Sequence, residues 1–166
     1  SIDAKLTTGD VNILDVKKEA IKNDYSIYSF KDFLAQKIKN NKDEEILNDT
    51  LFSWNFNDLN DVSDIIAEDL INLGAKKGSH IAICGANSLN WIATFFAIQK
   101  IGAMAILVNP LLKAKEICRL SHIGDIDIIC TGICPWLKDN PESFLKEIIN
   151  PEISSIKAIY DITKPI

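Results

Sequence analysis

From residue 50 onward the chain alternates between short apolar runs and segments with helical spacing. This pattern leaves few folds open. Runs such as His80–Cys84 and Ala103–Val108 are apolar at successive positions, so both faces of each must be covered, and that requires a largely parallel sheet with helices on either side. The predicted order over residues 50–166 is β-α-β-α-β-α-β-α-β.

The individual elements follow from local chemistry. Thr50–Trp54 predicts a first short strand. Asn55-Phe56-Asn57-Asp58 is a variant capping box, with Asn55 as N-cap and Asp58 three positions on. Leu59, Val62, Ile66, Leu70 and Leu73 then share one helical face, and Gly74 stops the helix. Lys76-Lys77-Gly78 makes a turn into His80–Cys84, expected as a central strand. Gly85-Ala86-Asn87-Ser88 is a tight strand-to-helix turn ending in a cap residue. Leu89–Ile101 is apolar around most of its girth and ends at Gly102. Ala103–Val108 predicts a second buried strand, stopped by Asn109-Pro110. A helix is expected from about Lys113 to His122, with Ile117, Leu120 and Ile123 inward and Gly124 beyond its end. Asp125–Cys130 alternates like a strand, Thr131–Pro141 predicts a loop, Ser143–Ile149 a short helix and Ile156–Ile162 a last strand. Residues 1–49 form a lead-in with weaker periodicity: a short helix near Val16–Lys22, a clearer one at about 29–40 capped by Ser29, and a polar turn at Asn40-Asn41-Lys42-Asp43.

Composition narrows the function classes. The chain has 166 residues, a length typical of one domain and enough to bury a real core. Lys and Arg number 18 against 23 Asp and Glu, for a net charge of −5, and Arg119 is the single arginine. Without a basic patch or arginine forks, nucleic acid is not an expected partner. No apolar run reaches the roughly 18–20 residues that span a bilayer, and Ser1–Lys5 lacks the basic-then-apolar order of a secretion signal. Cys84, Cys118, Cys130 and Cys134 sit in or beside apolar segments, as buried cytoplasmic thiols do.

Catalytic and binding motifs are scarce. There is no G-x-G-x-x-G, no G-x-x-x-x-G-K-[ST] and no G-x-S-x-G. Gly85–Ser88 is the one strand-to-helix turn whose amides could face an anion, and its expected role is turn and cap. His80 is expected to open a strand and His122 to close a helix, both structurally. Thr7-Thr8-Gly9-Asp10 resembles a catalytic triplet only superficially, because it lies far from any strand end. Cys130-x-x-x-Cys134 near His122 lacks the spacing of a zinc site. No catalytic residue and no metal ligand is expected in this chain.

A family resemblance supplies what local chemistry does not. Between Phe52 and Thr131 the chain resembles the start of the adenylate-forming (AMP-binding) superfamily, which includes acyl-CoA synthetases. Asn55–Asn60 is similar to that family's Thr-Tyr-x-Glu-Leu-Asn. Leu73–Ile83 is similar to its Leu-Gly-Val-Lys-Lys-Gly-Asp-x-Val-Ala-Ile. Ala86-Asn87-Ser88-x-x-Trp91 resembles Pro-Asn-Ser-x-Glu-Phe, and Ala97–Ala103 resembles Ala-x-x-Lys-Ala-Gly-Ala. Val108-Asn109-Pro110 and then Lys113–Ile117 resemble Leu-Asn-Pro followed by Thr-Ala-x-Glu-Leu. Lys113 replaces the usual Thr cap and Ala86 a common Pro. The family's Gly/Ser/Thr-rich phosphate loop, its later Thr-Glu segment, its ribose-binding Asp and its catalytic Lys have no counterpart here.

The resemblance implies a Rossmann-like N-terminal subdomain over residues 50–166, cut before the phosphate loop and inactive alone. It implies a parent ligase that uses ATP, Mg2+ and CoA to convert a carboxylic acid, of the fatty-acid type, through its acyl-adenylate into a thioester. The expected partner is then the rest of the same polypeptide, whose absence would leave an apolar patch flanking the sheet edge. By the same resemblance, Val108, Asn109 and Pro110 would lie beside the CoA nucleotide. An adenylation module that loads a carrier protein, and a standalone binding or regulatory module, are the alternatives.

Overall fold

A computed structural model describes residues 52–164 continuously, together with Lys5–Leu6, Val11–Asn12, Ala35, Ile38–Lys39 and Glu45–Asn48. Lys5–Leu6 (β1) and Val11–Asn12 (β2) pair antiparallel. Ala35, Ile38 and Lys39 are helical, within the helix expected at 29–40. The remainder of that helix, the expected helix near Val16–Lys22, the polar turn at Asn40–Asp43 and the triplet at Thr7–Asp10 lie outside the described residues.

The core of the chain is a four-stranded sheet formed by His80–Cys84 (β5), Met104–Val108 (β6), Ile128–Thr131 (β7) and Ala158–Asp161 (β8). Their order is β6-β5-β7-β8 and every pairing is parallel. β5 is central, as its two-faced apolarity requires. Side chains alternate across the sheet, so Ile81 and Ile83 of β5 point to one face with Ile128 and Cys130 of β7. There they meet helices Phe56–Asn72 (α1) and Leu89–Ile101 (α2). Ala82 and Cys84 point to the other face with Ile129. Covering that face are Ala114–Gly124 (α3) and Pro141–Ile148 (α5), through Ile117, Cys118, Phe144 and Ile148. A five-residue helix, Pro135–Asp139 (α4), precedes α5. Each fully buried isoleucine contributes roughly 1.5–3 kcal/mol from removing its side chain from water.

Several sequence expectations are corrected. The first strand is Ser53–Asn55 (β4), and it does not enter the parallel sheet. It pairs antiparallel with Glu45–Asn48 (β3), a strand hidden in the expected lead-in. The reason is local: α1 starts at once after Asn55, whose cap is reciprocal. Asn55 Oδ1 accepts from the Asp58 amide at 2.9 Å, and Asp58 Oδ2 accepts from the Asn55 amide at 2.9 Å. β6 is an edge strand rather than a buried one, with Met104 56% and Leu107 59% exposed. α3 runs through Gly124 instead of stopping before it, and Asp125 forms the left-handed cap at φ 50. A Cβ at Gly124 would stand 3.2 Å from Ile106 Cδ1, so the glycine lets the helix end pack on β6. Consequently Ile117 is buried, whereas Leu120 and Ile123 point outward, Ile123 at 75% exposure. Within the expected loop Thr131–Pro141, Pro135 opens α4 at a first-turn position where its missing N–H costs nothing. The last strands are shorter than the apolar pattern suggests, Ile128–Thr131 and Ala158–Asp161.

Polar ties lock the two layers in register. The Lys100 side chain is 10% exposed, and its ammonium shares three protons among four acceptors, the Asn60 carbonyl (3.1 Å) and Oδ1 (2.9 Å), Ser63 Oγ (2.7 Å) and Asp64 Oδ1 (2.7 Å), joining α2 to α1. The Tyr160 hydroxyl donates to Asp69 Oδ2 at 2.6 Å, joining β8 to α1 across 91 positions of sequence. Burial, and then the Asp69 carboxylate, push the Tyr160 hydroxyl well above the usual tyrosine range. On the other face Ser121 Oγ donates to the Cys118 carbonyl (2.6 Å), while the Ser155 hydroxyl lies 2.8 Å from the carbonyls of both Ser121 and Ile126 and shares its one proton between them, fixing the approach to β8.

Tyr160→Phe is expected to cost about 1–2 kcal/mol near neutral pH, the value of one partly buried hydrogen bond to a charged acceptor. Because the folded state holds this hydroxyl protonated more firmly than the unfolded chain does, the stabilisation is complete below about pH 10 and is lost as pH rises above it. Urea midpoints at pH 8 and pH 11 should therefore converge for the wild type and Tyr160→Phe. A gap that stays constant would refute the linkage. Gly85→Ala is expected to lower stability by about 3 kcal/mol in the same assay, since its Cβ would fall 2.6 Å from Gly132 Cα and the backbone must shift to admit it. Gly74→Ala meets no atom and carries only the strain of φ +104, so its cost should be about 1 kcal/mol.

Candidate functional site

In an open parallel sheet, ligands bind outside the carboxyl ends of the strands, where neighbouring connections leave in opposite directions. Here that point lies between β5 and β7, because the chain leaves β5 for β6 on one side and leaves β7 for β8 on the other. The loops following these two strands nearly touch. Gly132 donates its amide to the Cys84 carbonyl at 2.8 Å and Ala86 donates to the Ile133 carbonyl at 2.8 Å. Gly85 is thus required by the approach of Gly132, a packing constraint that its own turn sequence does not reveal.

A cavity of about 440 Å3 opens beside this junction. Phe52, Trp54 and Val62 wall it from the β4–α1 side, Ser88, Leu89 and Asn90 from the start of α2, and Gly132, Ile133, Ile162, Thr163 and Lys164 from the loops after β7 and β8. The wall is mostly apolar with a few polar groups, the character of a small-molecule pocket. Asn90 Nδ2 donates to the carbonyls of Ile162 (2.8 Å) and Lys164 (3.4 Å), pinning the turn after β8 to the start of α2. Asp161 Oδ1 accepts from the amide and hydroxyl of Thr163 at 2.9 and 2.6 Å, shaping the same turn.

The turn Gly85–Ser88 does not fit a triphosphate. Ser88 Oγ accepts from the Trp91 amide at 3.0 Å, and the Ala86 amide is committed to Ile133. These groups are satisfied within the protein, and the basic residue lining the neighbouring cavity is Lys164. Ser88 is the cap of α2, as its position in the turn suggests. His80 Nδ1 donates to the Gly124 carbonyl at 2.6 Å and His122 stands in the last turn of α3, so both histidines occupy the structural positions expected of them.

Val108, Asn109 and Pro110 lie at the carboxyl end of β6, with Val108 in register with Cys84 of β5. Val108 is buried and Asn109 exposed. Asn109 Oδ1 accepts from the Leu111 amide at 2.9 Å and its carbonyl accepts from the Leu112 amide at 3.1 Å. The three residues share the sheet's carboxyl edge with the cavity but do not line it. The loop they start is held from across the sheet: Trp136 of α4 donates its indole N–H to the Leu111 carbonyl at 2.9 Å, and the Lys113 ammonium lies 5.9 Å from the Trp136 ring centre. Lys113 has no acceptor to cap α3. The Glu116 carboxylate alone closes that end, accepting from the Lys113 amide at 2.7 Å.

Cys84 and Cys130 are poor nucleophiles. Burial, with a smaller contribution from Cys134, pushes Cys84 up to about 12, and burial raises Cys130 further. All four cysteines are free and buried. Among the described residues no group of three His, Cys, Asp or Glu gathers to hold a metal ion, and no helix is long and apolar enough to cross a membrane.

Comparison with known proteins places this arrangement. A stretch of 64 residues is 33% identical to the acyl-CoA ligase SidI of Aspergillus fumigatus, covering 39% of this chain and 11% of that protein. A stretch of 87 residues is 30% identical to the 2-succinylbenzoate–CoA ligase of Bacillus cereus, covering 51% of this chain and 18% of that one. Among solved structures, a Mycobacterium tuberculosis fatty acyl CoA synthetase superposes with a TM-score of 0.69 at 18% identity, over 80% of this chain and 26% of its own. The chain thus spans between about a tenth and a fifth of these two curated relatives and about a quarter of that solved structure. The family model for the AMP-binding enzyme matches residues 34–164, most of the chain and all of its parallel sheet, and the chain belongs to that family.

Proposed function

We propose that this chain is the N-terminal part of an ATP-dependent acid–thiol ligase that acts on a carboxylic acid of the fatty-acid class, with Mg2+, in the cytoplasm. In such a ligase the carboxylate oxygen attacks the α-phosphorus of ATP, pyrophosphate leaves, and the acyl-adenylate forms. The CoA sulfur then attacks the acyl carbon and AMP departs. The observation that carries this reading is the family match over residues 34–164, on a doubly wound sheet whose relatives include CoA ligases acting on different acids.

On this reading the chain contributes scaffold and cleft wall rather than reacting groups. The cavity at the β5/β7 junction is its share of the active cleft. Val108, Asn109 and Pro110, one strand over on the same edge, face the CoA nucleotide. The phosphate loop and the catalytic lysine come from the rest of the polypeptide, which is also the chain's main partner, so the 166 residues alone are inactive.

The test begins with the coding DNA beyond Ile166, where an in-frame Gly/Ser/Thr-rich loop with Pro-Lys-Gly is expected. The full-length product should catalyse ATP–pyrophosphate exchange with a fatty or aromatic acid from a panel and should form a thioester when CoA is added. The 166-residue chain should do neither. A stop codon directly after Ile166 would sink the proposal and favour a standalone module. Exchange by the short chain would refute its inactivity, and acyl transfer to a carrier-protein thiol but not to CoA would refute the acceptor.

A further inference from the structure

We propose that Trp136 is a positioning residue that holds the loop Asn109–Lys113 in the shape that receives the thiol acceptor. This inference rests on the reading of Val108–Pro110 as the acceptor-facing edge.

The loop after β6 has little to fix it from within. Asn109 closes one turn through its own side chain, to the Leu111 amide, and the Leu111 side chain is 65% exposed. Two long-range hydrogen bonds reach this loop: a weak one from the Cys84 thiol to the Asn109 carbonyl at 4.0 Å, and a short one at 2.9 Å from the Trp136 indole N–H to the Leu111 carbonyl. An indole is suited to this task. Its ring is half-buried against the core beneath α3 and α5 together with Leu112, so the donor projects from a rigid, packed body. The same ring carries the Lys113 ammonium over its face, which fixes a cation at the loop's far end. Lys113 stands where a Thr cap would give α3 an acceptor, so what the helix loses in capping the loop gains in charge.

Trp136 is also tied to the cavity. It follows the loop Gly132–Cys134 by two residues, and that loop walls the cavity through Gly132 and Ile133 while bonding to Cys84 and Ala86 at the β5/β7 junction. A short covalent path therefore runs from the cavity wall to the indole, and a single hydrogen bond runs on to the acceptor loop.

The test has two arms, both using Trp136→Phe, which keeps the ring and removes the donor. In the 166-residue chain, amide hydrogen exchange at Leu111 and Leu112 should accelerate about fivefold to tenfold, with the β5 amides unchanged. Unchanged loop amides would overturn the proposal. If Trp136→Phe fails to fold, Trp136→His, which can donate from a ring nitrogen, replaces it, and loop amides with exchange as slow as in the wild type are then the expected result. Fast exchange in that variant alone would overturn the assignment. In the full-length enzyme, KM for CoA should rise about fivefold while ATP–pyrophosphate exchange stays within about twofold. A parallel fall in both half-reactions, or no change in KM, overturns the acceptor role. A wild-type enzyme that forms the adenylate and ignores CoA refutes the functional reading itself and removes this role with it.

Discussion

Everything in this fold follows from the need to cover β5 completely. A parallel strand with apolar side chains on both faces and neighbours on both edges cannot exist until two helix layers and two further strands are in place. Ile81 and Ile83 demand α1 and α2, and Ala82 and Cys84 demand α3 and α5. Once those layers exist, strand order forces connections to depart in opposite directions after β5 and β7, and the crevice at that point is a by-product of covering the strand. The chemistry of the family then needs a cleft at a place where the packing of the sheet has already made one.

The crevice has a steric condition of its own. Two backbone loops meet there without side chains between them, and Gly85 and Gly132 are the residues that allow it. The hydrogen bonds that cross the contact use the amides of Ala86 and Gly132, groups that could otherwise have turned toward an anion. The segment thereby exchanges ligand-binding capacity for rigidity. It offers a largely apolar wall with Ser88, Asn90 and Thr163 at its rim.

Much of the architecture was legible because it is written locally. The capping box at Asn55 and Asp58, the glycine stop at Gly102 and the two-faced apolarity of His80–Cys84 each involve neighbours a few positions apart. The failures share the opposite character. Ile123 is six positions from Ile117, which at 3.6 residues per turn sets it roughly 240° around the helix, so the run of apolar residues does not share one face and Ile123 points outward. Ser53–Asn55 looked like a sheet strand because nothing in its sequence shows that its partner is Glu45–Asn48. The cavity draws on five separated stretches, and the hold of Trp136 on Leu111 spans 25 positions, so neither has a sequence signature. The resemblance carried by Leu73–Ile83 and Ala97–Ala103 reached the family by matching the positions that determine the scaffold, and for that reason it said little about reacting groups.

The outer edge of β6 carries a further consequence. Natural sheets guard open edges with lysine, proline or a bulge, yet Met104–Val108 has none of these, and Met104, Leu107 and the following Leu111 are exposed beside it. Among the described residues no strand pairs with its outer side, so its outward backbone groups form a template on which an extended apolar chain can add as a further strand.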